Sequence, residues 1–144
     1  MAFTGQETPG GDEINFVSLL DQGKPIILNF WAGNCLPCRA EMPGFQSLDE
    51  TETDHFIPLG VDVPPFTGLG SRQAALQFLR EFSISYPTGF ATDSKPVRKY
   101  GVQAVPTTGF ITPGGEITHN QRGILSEDNL KTQLTFLREK SAAS

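Results

Sequence analysis

Only two cysteines, one tryptophan and two methionines occur among the 144 residues. So few cysteines exclude a scaffold stapled by disulfides, because small secreted domains that lack a core carry about four to eight. Cations are scarce too. Eleven Lys plus Arg stand against 16 Asp plus Glu, a formal charge of −5 with no basic cluster, which sets aside nucleic acid and anionic membrane surfaces as partners. No apolar run approaches the roughly 20 residues a membrane span needs. The start Met1-Ala2-Phe3-Thr4-Gly5-Gln6 has neither the charged nor the apolar region of a secretory leader. The chain is therefore either cytoplasmic or a form from which a leader or anchor was removed. What is present is a core: hydrophobic residues make up 38% of the chain and Phe alone numbers 11, enough for one domain over residues 1–144.

Strand and helix signals alternate without internal repeats. Residues 1–12 are polar and contain Gly and Pro, the pattern of a loose arm or an edge strand, and Glu13 to Leu20 is a short amphipathic stretch ending in the turn Asp21-Gln22-Gly23. Pro25 to Trp31 is a continuous apolar run, the form a strand takes when both sheet faces are covered. From Cys35 to about Thr53 the pattern is helical, with Met42, Phe45 and Leu48 on one side and Pro43 expected to kink it. Phe56 to Val63 reads as a second central strand, followed by a Pro- and Gly-rich loop from Pro64 to Gly70. Ala75, Leu76, Phe78, Leu79 and Phe82 mark an amphipathic helix. Tyr86 to Ala91 reads as a weak edge segment, and Ser94 to Tyr100 as a short helix capped by its serine. Thr107 to Ile111 and Glu116 to Asn120 flank the turn Thr112-Pro113-Gly114-Gly115, a hairpin signal. Ser126 then caps a final helix in which Leu130, Leu134 and Leu137 stack. Parallel β-α units followed by a hairpin and helix describe an α/β fold, a mixed sheet with helices on both faces.

The two cysteines stand together in Trp31-Ala32-Gly33-Asn34-Cys35-Leu36-Pro37-Cys38, directly after the first buried strand. A pair spaced i, i+3 at a helix start is a dithiol/disulfide site, since helix-end amides and the helix dipole favour a thiolate there. A close pair can also bind metal, but His55 and His119 lie far apart in sequence and outside zinc-ligand spacing. Disulfide exchange needs one attacking thiolate and a second thiol to resolve the mixed disulfide. Cys35, at the helix start and the more exposed, takes the first role, and Cys38, one turn in, the second. Pro37 sits in the first turn, where its missing N–H costs little, and Leu36 offers an apolar contact. Glu41 lies one turn beyond Cys38 on the same face. A partly buried carboxyl there has a raised pKa and can exchange a proton with the resolving thiol, whereas a solvated one is an ordinary helix residue.

Asn29-Phe30-Trp31-Ala32, the run from Cys35 through Glu41 to Pro43, and Tyr100 through Pro106 to Thr108 give the chain its resemblance to thioredoxin-fold proteins, most of all the TlpA/ResA-like thiol-disulfide oxidoreductases. Asp93 and Gly114-Gly115-Glu116-Ile117 also fit, and the resemblance runs from Glu13 onward. It implies a thioredoxin fold, a redox-active Cys35–Cys38 disulfide with no other cofactor, and a monomer that exchanges with protein thiols and disulfides and with an upstream thiol–disulfide electron donor. It implies an extracytoplasmic setting. It also implies a cis bond before Pro106, which would turn the Val105 backbone toward the site to pair with an extended substrate, and places Trp31 beneath the cysteines. Thioredoxins proper keep a buried aspartate where this chain has Asn29, so acid–base work falls to Glu41.

Three positions depart from those relatives. Asn34 stands where thioredoxins proper have Trp, Thr107 stands where some cytochrome-maturation proteins have an acid, and Gly109 inside its strand suggests a bulge or a close backbone approach. Ala32 occupies the position where a peroxiredoxin needs Thr, and a copper chaperone of the Sco type wants wider cysteine spacing. The remaining alternative is a thioredoxin-like module that binds metal or a partner without turnover.

Overall fold

The computed structural model describes residues 2–5, 13–15, 19–33, 35–52, 55–62, 72–86, 88–91 and 104–143. A six-residue apolar run without charge is stable only where water reaches neither face, and Ile26–Trp31 (β3) is buried at every position inside a seven-stranded sheet. Ile57–Asp62 (β4), equally buried, pairs parallel to it, Ile26 facing Ile57 and Trp31 facing Asp62. On its other side Thr107–Ile111 (β6) runs antiparallel, with Phe30 opposite Thr107. Ala2–Gly5 (β1), Glu13–Asn15 (β2), Thr88–Ala91 (β5) and Ile117–Arg122 (β7) complete the order β2-β1-β5-β4-β3-β6-β7.

Alternation along β3 splits the core into two layers. Ile27, Trp31 and Phe110 face three helices, Leu36–Thr51 (α1), Arg72–Glu81 (α2) and Glu127–Ala143 (α3). α1 turns Cys38, Glu41, Met42, Phe45 and Leu48 to this layer, α2 adds Ala75, Phe78 and Leu79, and α3 adds Leu137 with Leu130 and Leu134 beside it. Each fully buried large side chain contributes about 1.5–3 kcal/mol. Ile26, Leu28 and Phe30 point the other way, to Leu59, Val61 and Ile111, and meet Leu19, Leu20 and Val105.

Helix α1 continues through Pro43 to Thr51. The Ser126 hydroxyl accepts from the Asn129 amide and starts α3 as its spacing predicts. Other expectations need correction. Thr88–Ala91 is not at an edge, because β1 pairs antiparallel beyond it and moves the edge out to β2. The Glu13 to Leu20 stretch is a short strand and then, at Leu19–Leu20, helix. The register irregularity in the β6–β7 hairpin falls between Phe110 and Ile111, while Gly109 pairs regularly with Leu28 and Asn120. The helix expected from Ser94 to Tyr100 and the loop from Pro64 to Gly70 lie outside the described residues.

Candidate active site

β3 delivers the chain to the cysteines at the end of the sheet. After Trp31 the Cys35 amide donates to the Ala32 carbonyl at 3.2 Å, and Cys35 then serves as N-cap of α1 in an extended conformation. Its Sγ accepts from the Cys38 amide at 3.2 Å, so one of the unsatisfied donors of the helix start points at sulfur. Cys35 and Cys38 are joined in a disulfide, with Cα atoms 5.2 Å apart. Neither sulfur residue is open to water. Cys35 is 4% exposed and Cys38 fully buried, while Leu36 between them is 75% exposed and sets an apolar side chain beside the pair. Pro37, in the first helical turn, is exposed as well.

The approach to Cys35 is fixed by a contact that leaves no mark in the cysteine motif. A Cβ on Gly33 would lie 2.6 Å from the Ala75 amide nitrogen and 2.8 Å from the Ala74 carbonyl carbon, at the start of α2. Backbone cannot swing aside as a side chain can. Gly33→Ala is therefore expected to lose about 1–3 kcal/mol of stability, read as a lower urea midpoint at unchanged slope; an unchanged midpoint would show that α2 yields. Arg39 ties α1 to α2 from the same side, with its guanidinium 5.0 Å from the Phe78 ring centre and 3.5 Å from the Glu81 carboxylate.

Trp31 is wholly buried behind the cysteines, 5.4 Å from the Phe78 ring. It is a wall of the site and not a surface a partner could touch. Val105 is half-buried and the Val105–Pro106 peptide is cis. Because Phe30 faces Thr107 in antiparallel register, this peptide sits at the same end of the sheet as Trp31 and the start of α1.

Behind the disulfide is a buried polar cluster. Glu41, the one acid on the buried face of α1, is 7% exposed. Its Oε1 accepts from Asn29 Nδ2 at 2.8 Å and its Oε2 from the Leu125 amide at 3.1 Å. Asn29 Nδ2 also donates to Thr108 Oγ1 at 3.1 Å. Burial pushes the Glu41 pKa up to about 7, and these two hydrogen bonds, which favour the carboxylate, only partly offset it. The neighbouring Tyr86 hydroxyl is raised as well, first by burial and then by the charges of Glu41 and Asp49. Glu41 also lines a groove of about 680 Å³ between α1 and α3, walled by Phe45, Leu48, Leu130 and Leu134, with Glu127 and Lys131 on its rim. The groove gives a carboxyl otherwise sealed in the core a route to solvent.

The raised pKa has a consequence for stability. From about pH 4.5 to about pH 7 the folded chain keeps a proton on Glu41 that the unfolded chain has lost, so protons are bound more by the folded state. Stability from this group is full below pH 4.5 and declines as pH rises through 7, by about 3 kcal/mol in all. Glu41→Gln should remove that decline, checked by denaturant unfolding at both ends of the range; a decline that survives the substitution belongs to another group.

Of the residues read from the sequence, Cys35, Leu36, Pro37, Cys38, Trp31, Val105 and Pro106 meet at one end of the sheet, with Glu41 one helical turn behind. His55 lies at Glu52, 4.0 Å away, and His119 lies on β7 against Phe110. Among the described residues no group of three or more His, Cys, Asp and Glu could hold a metal, and no helix is long and apolar enough to cross a membrane. The cluster residues Thr108 and Leu125 were missed. Asn29 was noted only as an absent acid, although a lone amide in a run otherwise apolar is itself a signal that something polar must meet it.

Comparison with known proteins places these features. The AhpC/TSA family profile matches residues 1–120. The thiol-disulfide oxidoreductase ResA of Oceanobacillus iheyensis is 34% identical over 113 residues, 78% of this chain and 57% of that protein. ResA of Bacillus subtilis is 28% identical over 148 residues, 94% of this chain and 80% of that protein. The exposed lipoprotein thioredoxin Etrx1 of Streptococcus pneumoniae has the same fold, with a TM-score of 0.80 over 94% of this chain and 98% of its own, at 23% identity.

Proposed function

The chain belongs to the AhpC/TSA family, and within it we propose a thioredoxin-fold thiol–disulfide oxidoreductase that exchanges its Cys35–Cys38 disulfide with protein thiols. The observation that carries this is the disulfide at the start of α1, with Cys35 Sγ already held by the Cys38 amide. A substrate thiolate attacks Cys35 Sγ, a substrate–Cys35 disulfide forms, the Cys35–Cys38 bond breaks, and its electron pair leaves on Cys38. Glu41 gives that sulfur a proton. A second substrate thiolate then displaces Cys35, so two thiols become one disulfide and the chain gains two electrons. The reverse sequence reduces a partner, with Cys38 attacking the mixed disulfide and Glu41 taking its proton.

Leu36 and Pro37 offer the partner an apolar landing place, and the Val105 backbone offers it strand pairing beside the cis peptide. Trp31 supports both from below. We read the chain as a monomeric domain over residues 1–144 that works outside the cytoplasm, as the exposed lipoprotein Etrx1 does, and that is served by an upstream dithiol donor. A peroxidase reading has less support, because Ala32 stands where that chemistry needs a hydroxyl. The test is a redox titration against glutathione: a two-electron couple with two thiols appearing together is expected, and its potential against those of candidate partners sets the direction. A disulfide that resists reduction in the folded protein would sink the proposal.

A further inference from the structure

The proton cycle just proposed for Glu41 poses a problem that its neighbours solve. A carboxylate needs donors, and it has them, Asn29 Nδ2 on one oxygen and the Leu125 amide on the other. A carboxylic acid needs an acceptor for its O–H. In the arrangement seen, a proton on the Oε1 side would face an NH₂ group, donor against donor. The amide oxygen, Asn29 Oδ1, points away, buried and without a hydrogen-bond partner among the described residues. We propose that Asn29 is a positioning residue whose side-chain amide turns over with the proton on Glu41, presenting NH₂ to the carboxylate and C=O to the acid.

The chemistry of the three side chains allows it. An amide is planar and its two ends are nearly the same shape, so a half-turn about its terminal bond leaves packing unchanged. After the turn Oδ1 accepts from the protonated Glu41. Thr108, which now accepts from Nδ2 at 3.1 Å, rotates its hydroxyl and donates to the same oxygen. The end of the amide that faces away is the C=O before the turn, buried without a hydrogen-bond partner among the described residues, and the NH₂ after it. An aspartate in place of Asn29 could only accept while ionised, and a leucine could do neither. Asparagine therefore serves this buried carboxyl in both of its states.

Other charges around Glu41 are placed differently. β3 and β6 bring only the uncharged Asn29 and Thr108 to it. α1 carries Cys38 one turn before it and Asp49 two turns after it. Tyr86 lies within its field, Asp62 of β4 shares this face of the sheet in register with Trp31, and the Glu81 carboxylate of α2 is held by Arg39. From α3, Glu127 and Lys131 flank the groove, with Arg138 farther along beside Glu52 at the end of α1. Among the described side chains, Asn29 is the one hydrogen-bonded to Glu41.

The inference rests on Glu41 changing charge in the oxidised protein, and the test separates the two. In the intact disulfide form, the Glu41 carboxyl carbon and the Asn29 side-chain NH₂ are followed by NMR from about pH 5 to about pH 9. Both should shift with one midpoint, and in Glu41→Gln the Asn29 signals should lose that midpoint and sit near their acid-side positions, since a glutamine NH₂ demands the turned amide. Asn29→Asp should move the Glu41 midpoint up by about one pH unit or more, because a second carboxylate at hydrogen-bond distance holds the proton on the pair. An Asn29 amide that ignores the Glu41 midpoint overturns the proposal, the proton then sitting on the Oε2 side toward the groove. A Glu41 that keeps one charge state throughout overturns it as well. If the amide follows Glu41 while Glu41→Gln exchanges at the normal rate, the turnover stands and the assignment of Glu41 to the exchange chemistry falls.

Discussion

Replacing Cys35 by serine is expected to abolish exchange, and replacing Cys38 by alanine to leave a protein that attacks but cannot let go. The two outcomes differ because the two sulfurs are placed differently. Cys35 Sγ receives the Cys38 amide and stands beside exposed Leu36, while Cys38 has no surface at all. An amide donor aimed at a helix-start sulfur stabilises it as the thiolate. The hydroxyl of serine is not ionised there and cannot form the mixed disulfide, so turnover should fall to the uncatalysed background. In Cys38→Ala the Cys35 thiolate survives, but no neighbouring sulfur remains to expel the partner. A mixed disulfide should accumulate with a peptide disulfide, one peptide thiolate leaving, and be visible as the added mass of the peptide half that stays bound, disappearing on adding dithiothreitol. If Cys35→Ser instead formed the adduct through Cys38, the assignment of attacker and resolver would be reversed. That outcome would require α1 to unwind, since Cys38 lies beneath its first turn.

Much of this was legible before any coordinates, and what was not has physical causes. β3, α1 and the hairpin of β6 and β7 follow from periodicity because burial acts on each locally. The position of β5 does not. Thr88–Ala91 reads as an edge, and only the antiparallel pairing of Ala2–Gly5 beyond it makes it interior. That is a long-range contact with no trace in either segment. Glu41 shows the same division. Its place on the Cys38 face comes from helical spacing, but its depth depends on α3 and on the turn before it, whose Leu125 amide donates across 84 residues of chain. Any residue could supply a backbone amide, so nothing in the sequence marks Leu125 as a partner. Gly33 is similar: its need for a bare Cα comes from Ala74 and Ala75 of α2.

The strongest test of the proton chemistry is the shape of the pH profile in Glu41→Gln, because loss of an acid and loss of a base show at opposite ends. When an outside thiolate reduces the disulfide, Cys38 leaves with negative charge in a fully buried place and needs a proton at once. With its pKa at about 7, Glu41 can supply that proton only at or below neutrality. Glu41→Gln should therefore slow reduction by about 100-fold below pH 7, the usual scale for a lost general acid, and approach the parent rate above it. In the resolving direction Cys38 must lose its proton first, and the carboxylate takes it. There the deficit should grow with pH until Cys38 ionises unaided, with midpoints that belong to the coupled pair rather than to either group. Stopped-flow rates with a small dithiol, measured in both directions across this range, give both profiles. A uniform slowing at every pH would mean that glutamine had disturbed the Asn29 and Leu125 contacts without touching proton transfer. Equal rates would remove Glu41 from the reaction and leave its raised pKa to account only for the stability lost between about pH 4.5 and about pH 7.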